Sequence, residues 1–568
     1  CALMDSGISM IGQIREDLIE RIAKAIQKAK EAGDLPEYVK AEIKIETPKR
    51  PELGDFATGV AMSVAREAQV EGRAAAGAIV RHLSLDDSYI QRVDIAGPGF
   101  INFFLSPAWL EKAMADIWKK GPLYGHTDYG QGKKILLEFV SANPTGPLNV
   151  VNARAAAVGD CLASLFSACG YGVSREFYVN DAGRQVELLS ASLEARYRQA
   201  LGEDAAIPEG GYQGDYLVEM AQELVSKHGS ALLDMSDEDR RQWFKDYAVS
   251  YMVEKQKQTL KNYGLRYDTW FSEKTLRDSG AHEQIIQELK EKDLIYEKDG
   301  ALWFKSTQFG DDKDRVLVKS DGEMTYLVPD IAYHKNKLAR GFDHLIDILG
   351  PDHHGYVNRL KAGVMALGYP EDILEVIIVQ TVRLVRGEEV VKMSKRGGEF
   401  ISMDELLEEV GKDAARFFFL MRSPSSHLDF DLDIARLQSN ENPVYYVQYA
   451  HARIASIHRQ AKQEGFIPAS GPNEVKFSLL RDPSEIELMK LLATFPEEIW
   501  DIASAREPNR LITYLTNVAS AFHSFYTRCR VLGEDKDLSS ARLYLSRLCQ
   551  IVLANGLKMA GISAPDSM

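Results

Sequence analysis

Apolar residues recur at helical spacing from about Ile11 to Ala32, with Ile14, Leu18, Ile19, Ile22 and Ile26 on one face. Ala41-Glu-Ile-Lys-Ile-Glu46 alternates apolar and polar positions, the pattern of a half-buried strand. Gly54-Asp-Phe-Ala-Thr58 reads as the opening of a second helix, and Gly97 to Leu105 as a turn feeding a strand. Residues 1–116 therefore predict an α+β unit, with residues 1–9 left out of the fold reading. Glycines and a proline among aromatics over 117–130 predict a linker.

Strand and helix then alternate. Ile135-Leu-Leu-Glu-Phe-Val140 is a short apolar run suited to a buried parallel strand. A helix from Ala153 to Cys169 and a strand from Val173 to Val179 follow it. Residues 185–300 are mostly helical in pattern and rich in charge, as an insertion would be. Strand signals resume at His344–Leu349 and Val376–Val379. This alternation predicts a doubly wound sheet over 117–435, and such sheets bind nucleotides at the carboxyl ends of their strands. Residues 436–568 turn all-helical, with helices expected over 445–460, 484–504, 508–531 and 538–560.

Composition narrows the class. The 568 residues include 68 Lys and Arg against 83 Asp and Glu, a formal net charge of −15. That balance argues against a basic DNA-coating protein or a membrane-surface binder, while a local basic face can still meet a nucleic acid. No apolar run approaches the ~18 residues of a membrane helix, and no secretory signal precedes the first unit. Cys1, Cys161, Cys169, Cys529 and Cys549 are odd in number and form no CxxC pair. They predict buried thiols in a reducing compartment, hence a cytoplasmic protein without a zinc site.

Two segments carry chemistry. From Glu138 to Arg154 a strand runs into a polar loop stiffened by Pro144, Gly146 and Pro147, then into a helix beginning near Val151. Free amides at such a helix start favour anions. The plain alternative is an ordinary strand–helix loop with an Asn N-cap. Val391-Lys-Met-Ser-Lys-Arg-Gly-Gly398 places three cations within five residues, between an expected hairpin at Arg386-Gly-Glu-Glu and a Gly-Gly pair. Such a loop can close over phosphates; alone, a charge run is more often a solvated surface.

Taken together, Pro-Thr-Gly-Pro-Leu followed about 240 residues later by Lys-Met-Ser-Lys resembles a class I aminoacyl-tRNA synthetase. Further blocks narrow the likeness to the bacterial-type arginyl-tRNA synthetases. They are Ser141-Ala-Asn-Pro-Thr-Gly-Pro-Leu148, Tyr178-Val-Asn-Asp-Ala-Gly183, Gly350-Pro-Asp-His-His-Gly-Tyr356, Lys392-Met-Ser-Lys-Arg396, His427–Leu432 and Asn442–Arg453, in family order. The resemblance spans the chain from about Ile11. It implies a Rossmann-type catalytic domain over 117–435, an N-terminal α+β domain over 1–116 that approaches the tRNA elbow, and a helical anticodon-binding domain over 436–568.

The resemblance also implies an ATP-dependent arginine–tRNA ligase that needs tRNA for its first step. Glu138, Asn143, Tyr326 and Asp330 match the positions that hold arginine. Pro144, Thr145, Gly146, Pro147, Asn149, Asn152, Asp352, His353, Lys392, Met393, Ser394 and Lys395 match the ATP site, with Asn149, Asn152, Lys392 and Lys395 in the catalytic positions. Two bland alternatives stand beside these: a helix N-cap for Asp330 and a buried ion pair for Glu138. Tyr445, Tyr446, Gln448, Tyr449 and Arg453 offer aromatics and donors for RNA, or a bundle helix with a buried Tyr stripe. Mg²⁺ is expected to come with ATP, without a protein cage, and the chain to be a monomer with tRNA(Arg) and L-arginine as partners.

One departure stands out. After Pro-Leu the family signature normally continues His-x-Gly-His, and here Asn149-Val-Val-Asn152 occupies those places. An Asn amide donates hydrogen bonds but never becomes a cation. Two readings follow: an adapted active site, or a silenced paralogue that binds tRNA without activating arginine.

Overall fold

The computed structural model describes residues 7–48, 50–387, 389–391 and 401–568. Helix α1 (Met10–Glu31) begins where Ser9 accepts the Gly12 N–H and buries the apolar stripe Ile14, Leu18, Ile22 and Ile26. Strand β1 (Phe56–Thr58), helices α2 (Val60–Ala68) and α3 (Gly72–Arg81), and strands β2 (Ile90–Ala96) and β3 (Phe100–Leu105) complete the first region. Its antiparallel sheet has the order β1-β3-β2.

Two expectations fail here. Ala41–Glu46 forms no strand; only Glu46 pairs, with Ala57 on the outer edge of the three-residue β1. The Gly54–Thr58 segment is strand β1, and the helix starts only at Val60. The expected linker is more structured than its glycines suggest. Helix α4 (Ala108–Lys120) runs into it, and Tyr124 is buried with its hydroxyl on the carbonyls of Leu492 and Ala493.

The central region begins with β4 (Lys134–Phe139), α5 (Val150–Ala168) and β5 (Gly172–Val179). Helices α6 (Arg184–Ala200), α7 (Asp215–His228) and α8 (Asp237–Asn262) pack on one another around Leu189, Leu193, Met220 and Phe244. Strand β6 (Thr269–Ser272) then returns to the central sheet, so the stretch 185–300 is not one helical insertion. After α9 (Glu273–Asp278) and α10 (Ala281–Glu291), strands β7 (Ile295–Lys298), β8 (Ala301–Phe304) and β9 (Arg315–Val318) form a separate small antiparallel sheet. Helix α11 (Leu327–Ala339), β10 (His344–Leu349), α12 (Val357–Ala366) and β11 (Leu374–Ile378) close the region.

The five-stranded sheet has the order β11-β10-β4-β5-β6, with every neighbouring pair parallel. The chain starts at β4, builds outward through β5 and β6, then crosses to β10 and β11. The direction of winding thus reverses between β4 and β10, and the crevice beyond their carboxyl ends is where such folds bind ligands. Helix α5 approaches β4 closely because Gly159 lacks a side chain; an added Cβ would sit 2.3 Å from the Phe139 ring.

Strands β12 (Val382–Arg386) and β13 (Glu389–Val390) form a hairpin, joined by β14 (Leu428–Asp431) in parallel with β12. Between them lie α13 (Met403–Val410) and α14 (Lys412–Leu420), and α15 (Leu432–Arg436) follows β14. The last region is all-helical: α16 (Pro443–Gln463), α17 (Pro483–Ala493), α18 (Phe495–Ala505), α19 (Asn509–Arg528) and α20 (Lys536–Met559). The single helix expected over 484–504 is two, parted at Thr494 ahead of Pro496. No helix among the described residues is long and apolar enough to cross a membrane.

Candidate functional site

Three carboxylates lie side by side in the central sheet. The register pairs Asp347 of β10 with Glu138 of β4, and Glu138 with Glu176 of β5. Adjacent strands run about 4.8 Å apart, so three buried acids would repel one another without compensation. Helix α11 supplies it. Tyr333, His334, Lys337 and Arg340 recur at helical spacing and meet this row from above.

Lys337, fully buried, places its Nζ 2.5 Å from Glu138 Oε2 and 2.7 Å from Asp347 Oδ1. His334 Nε2 lies 2.6 Å from the other Asp347 oxygen, and its Nδ1 lies 2.7 Å from the Asp330 carbonyl. Arg340 grips both oxygens of Glu176, at 2.5 and 2.8 Å, and the Tyr333 hydroxyl donates to the same carboxylate at 2.6 Å. Burial works against the charge on Lys337, but Asp347 and Glu138 outweigh it and hold the ammonium above its usual range. Burial likewise pushes the Asp347 carboxyl upward, and Lys337 with His334 reverses this to well below the usual carboxylate range.

Glu138 is the least enclosed of the three, at 6% exposed against 0% for Glu176 and 2% for Asp347. Its second oxygen, Oε1, accepts only the Ser141 hydroxyl, at 2.7 Å. Ser141 is brought there by two residues in left-handed backbone, Val140 (φ 74°) and Ser141 itself (φ 40°). A β-branched residue in that region is strained by about 1–3 kcal/mol. The turn also lets Ser141 Oγ accept the Tyr178 N–H at 3.1 Å.

Asp330 sits one turn into α11. The helix starts earlier than an N-cap reading of Asp330 requires, with Tyr326 at the cap. The half-buried Asp330 carboxyl accepts the Tyr356 hydroxyl. Burial drives its pKa up to about 6; the Tyr356 hydrogen bond and the His334 charge pull it back only partly. Tyr178, Phe271 and Tyr333 line the same side, with ring centroids 4.5 Å apart for Tyr178–Tyr333 and 4.9 Å for Phe271–Tyr333. Tyr326 stands apart from this cluster, 80% exposed. Asn143 is exposed, and its amide donates to Gln185 at 2.7 Å.

The other side of the crevice is the loop from Ala142 to Asn149 and the start of α5. Helices α7 and α8 hold the loop from outside. Gln256 donates to the carbonyls of Asn143 and Gly146 at 3.0 Å each, and the Tyr216 hydroxyl donates to Thr145 at 2.6 Å. Pro144 is buried, Thr145 and Gly146 half-buried and Pro147 exposed. Asn149 and Asn152 form a reciprocal capping box. Asn149 Oδ1 accepts the N–H groups of Val151 and Asn152 at 2.9 and 3.1 Å, and Asn152 Oδ1 accepts the Asn149 N–H at 3.0 Å. Both asparagines thus spend their side-chain oxygens on the helix start.

One turn further, Arg154 is fully buried among carbonyls. Its guanidinium donates to Gln380, Ser423 and Ser426 at 2.8–2.9 Å and, more weakly, to Thr381 at 3.5 Å. Burial lowers its pKa to about 10. These carbonyls flank the base of the β12–β13 hairpin, so Arg154 ties α5 to it. Lys392, Met393, Ser394 and Lys395 lie outside the described residues. The residues just beyond are fixed to the α5 side: Met403 N–H donates to the Leu148 carbonyl at 2.8 Å, and Ser402 bridges Asn149. Asp352 and His353 are exposed on a short 3₁₀ turn directly after β10, at the same end of the sheet. Among the described residues, no group of three His, Cys, Asp or Glu side chains is placed to hold a metal ion.

On α16, Tyr445 and Tyr449 stack with centroids 6.1 Å apart, and Tyr449 continues onto His523 of α19 at 6.0 Å. Tyr446 meets His523 at 4.9 Å. Arg453 lies 5.0 Å over the Tyr526 ring and donates to its hydroxyl. Gln448 does not join this stripe. It is buried, and its amide donates to Asp413 and to the Ser563 carbonyl, both at 2.9 Å, which leaves it no donor for RNA.

Sequence reasoning missed Ser141, Glu176, Tyr333, His334, Lys337, Asp347 and Tyr356. A signal was present for two of them, since Glu176 and Asp347 are acids inside otherwise strand-like segments.

A parallel sheet with its crevice at the winding reversal, an anion-ready helix start and a hairpin tied to that helix define a class I aminoacyl-tRNA synthetase catalytic core. The family "tRNA synthetases class I (R), catalytic domain" matches residues 114–421. "Arginyl tRNA synthetase N terminal domain" matches residues 16–105, and "DALR anticodon binding domain" matches residues 447–568. Arginine–tRNA ligases of Desulforamulus reducens and Caldanaerobacter subterraneus are 47% and 48% identical over 98% and 99% of this chain and the whole of theirs. A solved structure described as a putative arginyl-tRNA synthetase from Campylobacter jejuni is 35% identical (TM-score 0.75), covering 82% of this chain and all of that one. The Thermus thermophilus arginyl-tRNA synthetase shares the fold at 22% identity and TM-score 0.73, over 98% of this chain and all of that one. The chain belongs to the arginyl-tRNA synthetase family.

Proposed function

We propose that this chain is an active arginine–tRNA ligase whose phosphate site works through neutral amides. The observation that carries the reading is the pairing of a preformed acidic pocket at Glu138 and Asp330 with a capped helix start at Asn149 and Asn152, across one crevice. Arginine's guanidinium is planar and always charged, so it is matched by carboxylates held in place. Glu138 and Asp330 take that role and the α-ammonium group, with Asn143 and Tyr326 closing from the rim when substrate enters.

ATP lies over Pro144–Asn152, with its phosphates toward the NH₂ donors of Asn149 and Asn152 and its nucleoside toward Asp352 and His353. In the first step an arginine carboxylate oxygen bonds to the α-phosphorus. The bond from that phosphorus to the bridging oxygen breaks, and pyrophosphate leaves. In the second, the 2′-hydroxyl of the terminal adenosine of tRNA attacks the activated carbonyl and AMP leaves. Orientation and electrostatic stabilisation do the work, with Lys392 and Lys395 supplying the positive charge that the asparagines lack. Mg²⁺ arrives on the ATP phosphates and is held by them and by water.

The domain division follows the sequence reading: 1–116 toward the tRNA elbow, 117–435 for catalysis and 436–568 for the anticodon. Tyr445, Tyr446, Tyr449 and Arg453 are the proposed RNA-facing residues. The protein acts as a cytoplasmic monomer, with no DNA or membrane partner.

The test is charging of tRNA(Arg) with labelled arginine by this chain and by N149H/V151G/N152H. Charging by the unaltered chain is expected. No charging together with normal tRNA binding, cured by the triple change, would make it a silenced tRNA-binding paralogue instead.

A further inference from the structure

Lys337 has no place in the reaction as set out above, yet it is a fully buried cation beneath the arginine pocket. We propose that Lys337 is a positioning residue that sets arginine affinity by pinning the inner oxygen of Glu138. The proposal rests on Glu138 holding arginine.

The three carboxylates of the row differ in what remains of them. Glu176 is used up by Arg340 and Tyr333. Asp347 is used up by Lys337 and His334. Glu138 alone is divided: Oε2 goes to Lys337 and Oε1 meets only a neutral hydroxyl, Ser141. A carboxylate anchored at one oxygen cannot rotate about its last bond. Its remaining lone pairs then keep a fixed direction, which a rigid guanidinium fork needs and a freely turning carboxylate would not provide.

Lys337 cannot itself reach substrate, because it is enclosed by Glu138, Asp347 and the Tyr333 ring, whose centroid lies 4.3 Å from Nζ. Its contribution therefore runs through Glu138. Asp347 holds Lys337 as well, and His334 holds the other Asp347 oxygen, so Glu138 is tied to α11 by an ammonium that is itself fixed to β10.

The test compares E138Q, K337M and K337M/D347N by arginine-dependent ATP–pyrophosphate exchange in the presence of tRNA. Agmatine, which keeps the guanidinium and lacks the carboxylate, serves as a competitive probe. The double variant guards against misfolding, since it removes one of the two buried acids that K337M deprives of the ammonium. Expected for both Lys337 variants is a rise of about tenfold or more in the arginine KM and the agmatine inhibition constant, with kcat within threefold and the ATP KM unchanged. A merely structural role would instead lower kcat and raise the KM of ATP and arginine alike. That pattern, or an unchanged arginine KM in whichever variant folds, overturns the proposal while E138Q still weakens arginine. If E138Q leaves the arginine KM unchanged, the arginine role of Glu138 falls and the Lys337 proposal with it.

Discussion

The two halves of the crevice handle charge in opposite ways. On the proposed arginine side, the buried charges Glu138, Glu176, Asp347 and Lys337 each have a counter-charge within 2.8 Å, which for Glu176 is the exposed Arg340. On the phosphate side, the buried Arg154 faces carbonyl oxygens, and the helix start is closed by two neutral amides. The difference follows the ligands. A guanidinium keeps one charge throughout the reaction, so fixed opposite charges can be built in beforehand. A triphosphate changes its charge distribution as pyrophosphate leaves, and in the proposed site its positive charge comes from Lys392 and Lys395 and not from the helix start.

The largest effect should come from breaking the charged half. Leaving the substrate guanidinium without the Glu138 carboxylate costs about 3 kcal/mol of binding. E138Q should therefore raise the arginine KM roughly 100-fold, measured by pyrophosphate exchange at saturating ATP. Breaking the neutral half at its one buried charge comes next. R154M leaves three close carbonyls unpaired at about 1 kcal/mol each, so urea unfolding should show a loss of about 3 kcal/mol, with the arginine KM unchanged. An unaltered midpoint would show that the carbonyls find other donors.

Acid sharpens the comparison further. Burial holds the Asp330 pKa up at about 6, and the proposed role in binding a cation needs this carboxyl ionised. As pH falls through about 6, kcat/KM for arginine should drop, to roughly a tenth at pH 5. The limb should vanish in D330N, and the ATP side should stay flat. The smallest effect is expected at the capping box. N152A removes the acceptor for the Asn149 N–H and costs about 1 kcal/mol. It should raise the ATP KM about fivefold and leave arginine alone; an equal change in both would mean that the halves are coupled.

Much of this was legible in the sequence, and the failures share a cause. The regular alternation of β4, α5, β5 and β10 is written in local periodicity, and the structure follows it within a few residues. Glu138 and Asp330 were assigned to arginine by what the resemblance implies. Lys337 was not, because a lysine in a helix reads as surface until the register of two strands beneath it is known. Strand β6 was hidden for a similar reason. Four residues, Thr269-Trp-Phe-Ser272, become a strand by pairing with β5, not by their own pattern. Ala41–Glu46 is the converse, a good pattern whose neighbouring edge strand is only three residues long and which pairs at Glu46 alone. At the capping box, the sequence offered an Asn N-cap beside the reading of lost histidines, and the structure shows Asn149 and Asn152 as mutual caps.

Glu497 in α18 gathers the Ser9 hydroxyl, the Arg15 guanidinium and the Tyr129 hydroxyl, all from the first quarter of the chain. Tyr129 precedes its partner by 368 residues. At about 5–20 residues per second on the ribosome, that side chain waits roughly 20–70 s for the carboxylate to be made. During synthesis the opening helix therefore carries an unfinished face. The cell's chaperones meet this protein as a nascent chain that can lock its beginning only after most of its end has emerged.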